Sequence, residues 1–178
     1  MKTLKTLLTV FAMAGIFSAG ALAQTPTNQT VQASAEIISN LSAGATSALS
    51  FGQILASATP SIAYNTASAG WAEFTGATEG ATMDVAITYP ASLTTTGTSG
   101  TALTFAADAG AGYQSTSGTA DPTSATALAS ATSGSFTATS DGTNTDFFIF
   151  VGGSITDASA GVSGETYTGD ITIAVTHQ

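Results

Sequence analysis

The sequence predicts an all-β fold, namely an immunoglobulin-like two-sheet β-sandwich of about seven to nine strands. Segments rich in Thr, Val, Ile, Phe and Tyr alternate apolar and polar residues with a period of two. Gly-containing turns separate these segments. Hydrophobic residues make up 43% of the chain and charged residues only 7%, which is unlike the composition of a disordered protein.

The N-terminal residues 1–23 have the pattern of a cleaved secretory signal peptide. Lys2 and Lys5 form a positive region, residues 7–17 are apolar, and the triplet at 21–23 fits the small-x-small cleavage motif. The apolar run is too short to span about 30 Å of hydrocarbon comfortably. We therefore expect residues 24–178 to form one exported domain in the periplasm, at the cell surface or outside the cell.

Charge and cysteine content restrict the chemistry of this domain. Lys2 and Lys5 are the only Lys or Arg residues, so cleavage changes the net charge from −9 to −11. Phosphate groups are bound mainly by Lys and Arg, so neither nucleic acid nor an anionic membrane surface is an expected partner. The absence of cysteine excludes disulfides, thiol chemistry and lipid attachment through an N-terminal Cys.

The sequence pattern indicates some strands more clearly than others. The weaker candidates are residues 31–41, 48–54, 70–75, 101–106 and 133–140. Two segments alternate apolar and polar residues regularly. In 82–90 one face carries Met83, Val85, Ile87 and Tyr89. In 166–177 one face carries Tyr167, Ile171, Ile173, Val175 and His177. A slip of one residue in the second segment would bury Asp170, so its register should be well specified.

Two further segments complete the predicted domain. Residues 146–151 are apolar on both faces, which indicates a central strand covered on each side; Gly152-Gly153 ends it, and pairing resumes at 154–156 after a bulge. Residues 107–133 are a low-complexity stretch of Ala, Ser, Thr and Gly, with Tyr113 and Leu128 as its large apolar anchors. We expect this stretch to be a long surface loop, with room for a short irregular strand.

Three stretches resemble the bacterial domain-of-unknown-function family 4402. They are ASAEIISNLSAGATSALSFGQI at 33–54, AEFTGATEGATMDVAITYP at 72–90 and FVGGSITDASAGVSGETYTGDITIAV at 150–175. The resemblance covers nearly all of the predicted mature chain and implies a secreted β-sandwich. Its motifs include no catalytic residue, and the family has no settled activity.

The C-terminal strand also resembles, more loosely, that of chaperone–usher pilus subunits. Ile171, Ile173 and Val175 alternate, and Gly164 precedes Gln178 by fourteen positions. His177 stands where those subunits carry a penultimate aromatic residue. The polar segment 24–30 lacks the alternating apolar side chains that a donor strand needs to fill a neighbour's groove.

Calcium is the one cofactor for which the sequence offers a candidate site. Asp141, Asn144 and Asp146 place two carboxylates and an amide within six residues, and hard cations prefer such oxygen ligands. Their spacing differs from that of the EF-hand loop. The alternative is an Asp-Gly turn that leads into the following strand.

No catalytic residue is predicted. Acidic pairs suited to glycoside hydrolysis would be Glu73 with Glu79 or Asp141 with Asp146, but acids at turns and strand ends are commonly solvated. His177 is interpreted as the cap of an amphipathic strand end. The single tryptophan, Trp71, is either a core residue or a platform for a sugar ring.

The preferred functional hypothesis is an exported, non-enzymatic structural or surface protein, such as a subunit of a fimbria-like assembly. Sheet edges are often protected with Lys, which this domain lacks, so self-association or pairing with other surface subunits is open to it. The alternative is an extracellular glycan- or calcium-binding module. A hydrolase is the third hypothesis, and it requires carboxylates that converge in a cleft.

Overall fold

A computed structural model describes residues 41–95, 97, 101–115, 118–140 and 145–178. Within these ranges the chain contains thirteen strands and a short 3-10 helix, Pro122–Ser124. The predicted signal peptide lies outside the described residues, and so does the predicted strand at 31–41 apart from Leu41. In the described part of the chain, no helix is long and apolar enough to cross a membrane.

The strands are numbered in chain order. They are β1 (Ser42–Ser47), β2 (Ser61–Ile62), β3 (Gly70–Thr75), β4 (Thr82–Thr88), β5 (Ser92–Thr95), β6 (Leu103–Ala106), β7 (Ala111–Ser115), β8 (Thr126–Ala127), β9 (Ser133–Thr137), β10 (Phe147–Val151), β11 (Gly153–Asp157), β12 (Tyr167–Thr168) and β13 (Thr172–His177).

The strands form three antiparallel sheets that pack together. Sheet I has the order β1-β3-β10-β7-β8, sheet II has the order β12-β5-β6-β11-β2, and sheet III has the order β13-β4-β9. The predicted all-β sandwich is therefore confirmed. The strands outnumber the expected seven to nine because bends divide long runs of chain and several of the pieces are only two residues long.

Sheets I and III enclose the larger of two hydrophobic clusters, which we call the main cluster. β4 contributes Met83, Val85 and Ile87 from sheet III, and β10 contributes residues including Phe147 and Ile149 from sheet I. All five are 4% exposed or less. The strict alternation of β4 thus places its apolar face against the core, as its sequence pattern predicts.

Sheet II covers the second cluster, whose buried members are Leu93, Leu103, Phe105, Ile155 and Ala158. Its other side is formed by side chains that are only partly buried, including Leu49, Phe51 and Ile54. Tyr89 and Ile171 pack against both clusters and therefore connect them.

Sheet II is assembled from chain that runs on from the other two sheets. β10 in sheet I continues across Gly152 into β11 in sheet II. A Cβ atom on Gly152 would lie 2.5 Å from the carbonyl oxygen of Ile62 and 2.7 Å from the backbone nitrogen of Tyr64, so this crossing requires glycine. Likewise β4 pairs with β13 in sheet III, and β5 pairs with β12 in sheet II. Strands that bend and change sheets in this way form the corners of a sandwich.

The structure differs from the sequence prediction at several places. The strands β1, β2 and β5 lie where no strand is predicted, and three predicted segments have a different structure. Residues 48–54 are not a strand; they form irregular chain in which Gly52 has a φ of +64°. The predicted loop 107–133 contains β7, which lies inside sheet I and pairs with β10 over five residues. The predicted strand 166–177 is divided into β12 and β13 by residues 169–171.

Candidate functional site

One face of sheet I, turned away from the main cluster, carries an acidic and two aromatic side chains. β3 places Phe74 in the main cluster, so strand alternation puts Trp71 and Glu73 on the opposite face. β10 places Phe147 in the main cluster and therefore Phe148 on that opposite face. Phe148 is directly across from Glu73 in the β3–β10 ladder, which brings the three side chains together.

Trp71 and Phe148 meet edge to face. Their ring centroids are 5.6 Å apart and the ring planes lie at 83°, a favoured geometry for an aromatic pair. Phe148 is 2% exposed, whereas Trp71 is only partly buried. The buried ring thus supports the tryptophan, part of which remains accessible to solvent.

Glu73 is held in place by an irregularity in the edge strand β1. The register between β1 and β3 shifts between Ala43 and Thr46, and the backbone N–H of Ala45 donates to Glu73 Oε2 at 2.9 Å. A Cβ atom on Gly44 would lie 2.5 Å from the same oxygen, so glycine at that position leaves room for the carboxylate. The side chain satisfies a donor at the bulge and is oriented by it.

A surface depression of about 320 Å³ lies over these side chains. Its lining residues are Ala45, Trp71, Glu73, Gly118, Thr119, Ala120 and Phe148. This volume is near the lower end of the range of roughly 300–1,000 Å³ that is typical of small-molecule sites.

The segment before the 3-10 helix forms the far wall of the depression and is fixed by Asp121. The Asp121 backbone N–H donates to Gln114 Oε1 at 2.9 Å, which ties the segment to β7. Asp121 Oδ1 accepts hydrogen bonds from the hydroxyl and the backbone N–H of Thr123, and these bonds lower the pKa of the Asp121 carboxyl. The carboxylate is therefore the N-cap of the 3-10 helix.

The charge around the depression is of one sign. Both Lys residues of the sequence lie in its first five positions, so the described residues include no Lys or Arg. The carboxylate of Glu73 therefore faces solvent without a basic partner from the described chain. Its described hydrogen bond is the one from Ala45 to Oε2.

A second surface feature is the edge of sheet III at β13. Six consecutive residue pairs join β13 to β4 with no register shift. The backbone N–H of Gln178 donates to the carbonyl oxygen of Thr82. Hydrogen-bonded pairs recur at every second position of an antiparallel ladder, so Thr176 with Asp84 and Ala174 with Ala86 are hydrogen-bonded in the same way. The N–H and C=O groups of Ile173, Val175 and His177 consequently point away from β4, where no described strand pairs with them.

The structure brings few of the candidate site residues from the sequence together. Asp141 and Asn144 of the calcium candidate lie outside the described residues, and Asp146 is partly buried just before β10. Among the described residues, no group of three His, Asp or Glu side chains is arranged to hold a metal ion. Of the proposed acid pair, Glu73 lines the depression and Glu79 is exposed in a turn.

His177 lies on β13 across from the buried Met83, on the face that the alternation predicts. Both of its ring nitrogens are buried and have no hydrogen-bond partner among the described residues. Sequence reasoning singled out Trp71 and Glu73 but missed Phe148 as their neighbour. The sequence feature that points to Phe148 is that β10 is apolar on both faces. Only one of these faces packs against the main cluster, so Phe148 on the other face must be covered by other residues.

No protein-family model matches the chain, and no curated protein or solved structure is significantly similar to it. The resemblance to family 4402 and to pilus subunits therefore stays a prediction from the sequence.

Proposed function

We propose that this chain is an exported, non-enzymatic structural protein whose copies associate through the edge strand β13. The observation that supports this proposal most directly is the regularity of β13. It presents six residues in continuous register, with outward-pointing backbone groups at every second position. Such an edge is a ready template for another strand.

The usual protective features of an edge strand are missing from β13. Its sequence, TIAVTH, contains no Lys, Pro, Asp or Glu, and its ladder with β4 contains no bulge. Thr172, Ala174 and Thr176 on its outer face are exposed. By contrast, the edge strand β1 carries a register shift, which makes it a poorer template.

Export is the second part of the proposal. The pattern of residues 1–23 supports secretion to the periplasm, the cell surface or the extracellular space. The predicted mature part of the chain has no Lys or Arg that could bind polyanions such as nucleic acid, which is consistent with a structural role outside the cell.

The test is the oligomeric state of the secreted protein, measured by light scattering after size-exclusion chromatography and by negative-stain electron microscopy. We expect wild-type protein to form dimers or larger assemblies at high micromolar concentration. Ala174→Lys places a charge on the exposed face of β13 and should leave mostly monomers, because copies that pair through this edge bring like charges together.

Two controls make the test specific. Ala86 lies opposite Ala174 on the central strand β4 and is also exposed, so Ala86→Lys adds the same charge one strand away from the edge and should assemble more readily. Ala174→Glu should be monomeric alone but should form mixed assemblies with Ala174→Lys. Only monomers for the wild type, or equal assembly by Ala174→Lys, would contradict the proposal.

A further inference from the structure

We propose that the depression around Trp71 binds an alkylammonium group, meaning a positively charged nitrogen that carries methyl or methylene groups. This site lies on sheet I and does not depend on association through β13 in sheet III. The inference rests on three properties of the depression: its aromatic wall, its oriented carboxylate and the sign of the surrounding charge.

The aromatic wall is Trp71. Tryptophan has the most favourable ring for attracting a cation, and the attraction strengthens when the cation is partly removed from water. The edge-to-face contact with Phe148 holds the indole in one orientation, so little side-chain freedom remains to be lost on binding. The methyl groups of an alkylammonium ion also suit an apolar surface, which a bare metal ion does not.

The carboxylate is Glu73. Its Oε2 atom is fixed by the N–H of Ala45, whereas Oε1 makes no hydrogen bond with the described residues. An oriented carboxylate beside an indole ring offers a cation both a counter-charge and a π face. The bulge in β1 thus has a role in the site, because it supplies the donor that orients the acid.

The surrounding charge favours a cation over an anion or a neutral ligand. The described chain carries carboxylates and no Lys or Arg, so its field concentrates cations near the surface. An anionic ligand would meet Glu73 with no basic group to offset the repulsion. A neutral sugar could stack on Trp71, but it would gain nothing from the net charge.

The experiment uses the fluorescence of Trp71, the only tryptophan of the sequence, as a reporter at the site itself. The secreted protein is titrated with choline and, separately, with 3,3-dimethyl-1-butanol, which has the same shape without the charge. We expect a saturable change with choline at millimolar concentration and about tenfold weaker binding of the neutral analogue. Added salt should weaken only the response to choline.

A variant separates charge from shape. Glu73→Gln keeps an oxygen that can accept the hydrogen bond from Ala45 but removes the charge, so the affinity for choline should fall several-fold and stay above that of the neutral analogue, because the attraction to the Trp71 ring remains. Equal binding of choline and its analogue by the wild type would overturn the proposal, as would no response to either. Saturable binding of cellobiose that Glu73→Gln leaves intact would also overturn it and indicate a glycan site.

Discussion

The main cluster lies between two sheets, whereas the second cluster has sheet II on one side and irregular chain on the other. In the main cluster the rings of Phe74 and Phe147 stack at 5.3 Å, and Phe136 meets Phe147 edge to face at 5.1 Å. In the second cluster Phe105 contacts Phe51 at 6.2 Å and Tyr89 at 5.9 Å, and both of these neighbours are partly exposed. Two sheets exclude water more completely than a sheet and a loop, so we expect the main cluster to carry more of the stability.

The largest expected effect comes from emptying the main cluster. Phe147 is 0% exposed and contacts two other phenylalanines, so Phe147→Ala should lower the free energy of unfolding by about 4 kcal/mol. Phe105→Ala removes the same atoms from the second cluster, where the loop can close around the space, and should lower it by about 3 kcal/mol. Urea unfolding of both variants measures the difference. A larger loss for Phe105→Ala would reverse the ranking of the clusters.

The junction between the clusters should be the next most sensitive position. Gly152→Ala places a methyl group within 2.8 Å of backbone atoms of Ile62, Tyr64 and Ala109, none of which can move independently. We expect a loss of about 3 kcal/mol, measured by thermal unfolding. Gly161→Ala is the matched control, because its nearest contact would be 3.1 Å, and it should be much milder. Similar losses for the two variants would show that the crossing at Gly152 is not tight.

A polar contact beside the junction should matter less. The hydroxyl of Ser154, a residue only 6% exposed, donates to Asp108 Oδ2 at 2.7 Å. Ser154→Ala should lower the free energy of unfolding by about 1 kcal/mol, because Asp108 is exposed and its carboxylate can regain water. Asp108→Asn, which keeps an acceptor, should be closer to wild type. Urea midpoints at pH 7 compare them, and a loss above that of Gly152→Ala would contradict this ranking.

The smallest expected effect is a gain at Tyr89, the ring that packs against both clusters. Its hydroxyl is buried without a hydrogen-bond partner among the described residues. Tyr89→Phe removes that unsatisfied group and should raise the stability by about 1 kcal/mol. A melting temperature below that of wild type would mean that the hydroxyl has a partner in solution.

The raised pKa of the Tyr89 hydroxyl leads to an expectation for how the stability responds to alkaline pH. Burial raises the pKa of the Tyr89 hydroxyl from 10.0 to about 12, so the unfolded chain loses this proton first. The free energy of unfolding is therefore unaffected by this group below pH 10 and falls as the pH rises from 10 to about 12, because deprotonation favours the unfolded chain. Melting temperatures between pH 9 and 12 should therefore fall less steeply for Tyr89→Phe than for wild type, and identical slopes would contradict this assignment.

The same comparison explains what the sequence could predict. The main cluster follows from period-two alternation in β4 and from the apolar run of β10, both of which are visible in the sequence. The second cluster depends on Phe51 and Ile54, which belong to irregular chain around Gly52, and alternation does not reveal how such a segment packs. β7 was missed because Ala, Gly and Ser carry little strand preference; its place between β10 and β8 is set by tertiary pairing.

The candidate site was only partly predictable for a similar reason. Trp71 and Glu73 share a face by simple alternation, so their proximity could be read from β3 alone. The approach of Phe148 and of residues 118–120 depends on which strands are neighbours in sheet I, and composition does not encode that order. β1 is a strand of small exposed residues, and nothing in its composition indicated the bulge that orients Glu73.

The pairing of β13 with β4 has a consequence for how fast the protein reaches its native state. These strands are separated by about half the length of the chain, so pairing them closes a long loop. Closing this loop costs conformational entropy before the contacts of the ladder can stabilise it. Proteins dominated by such distant pairings fold on a scale of roughly milliseconds to seconds. Sheet III is complete only when residues 172–177 have paired with β4, so we expect this ladder to form late in folding.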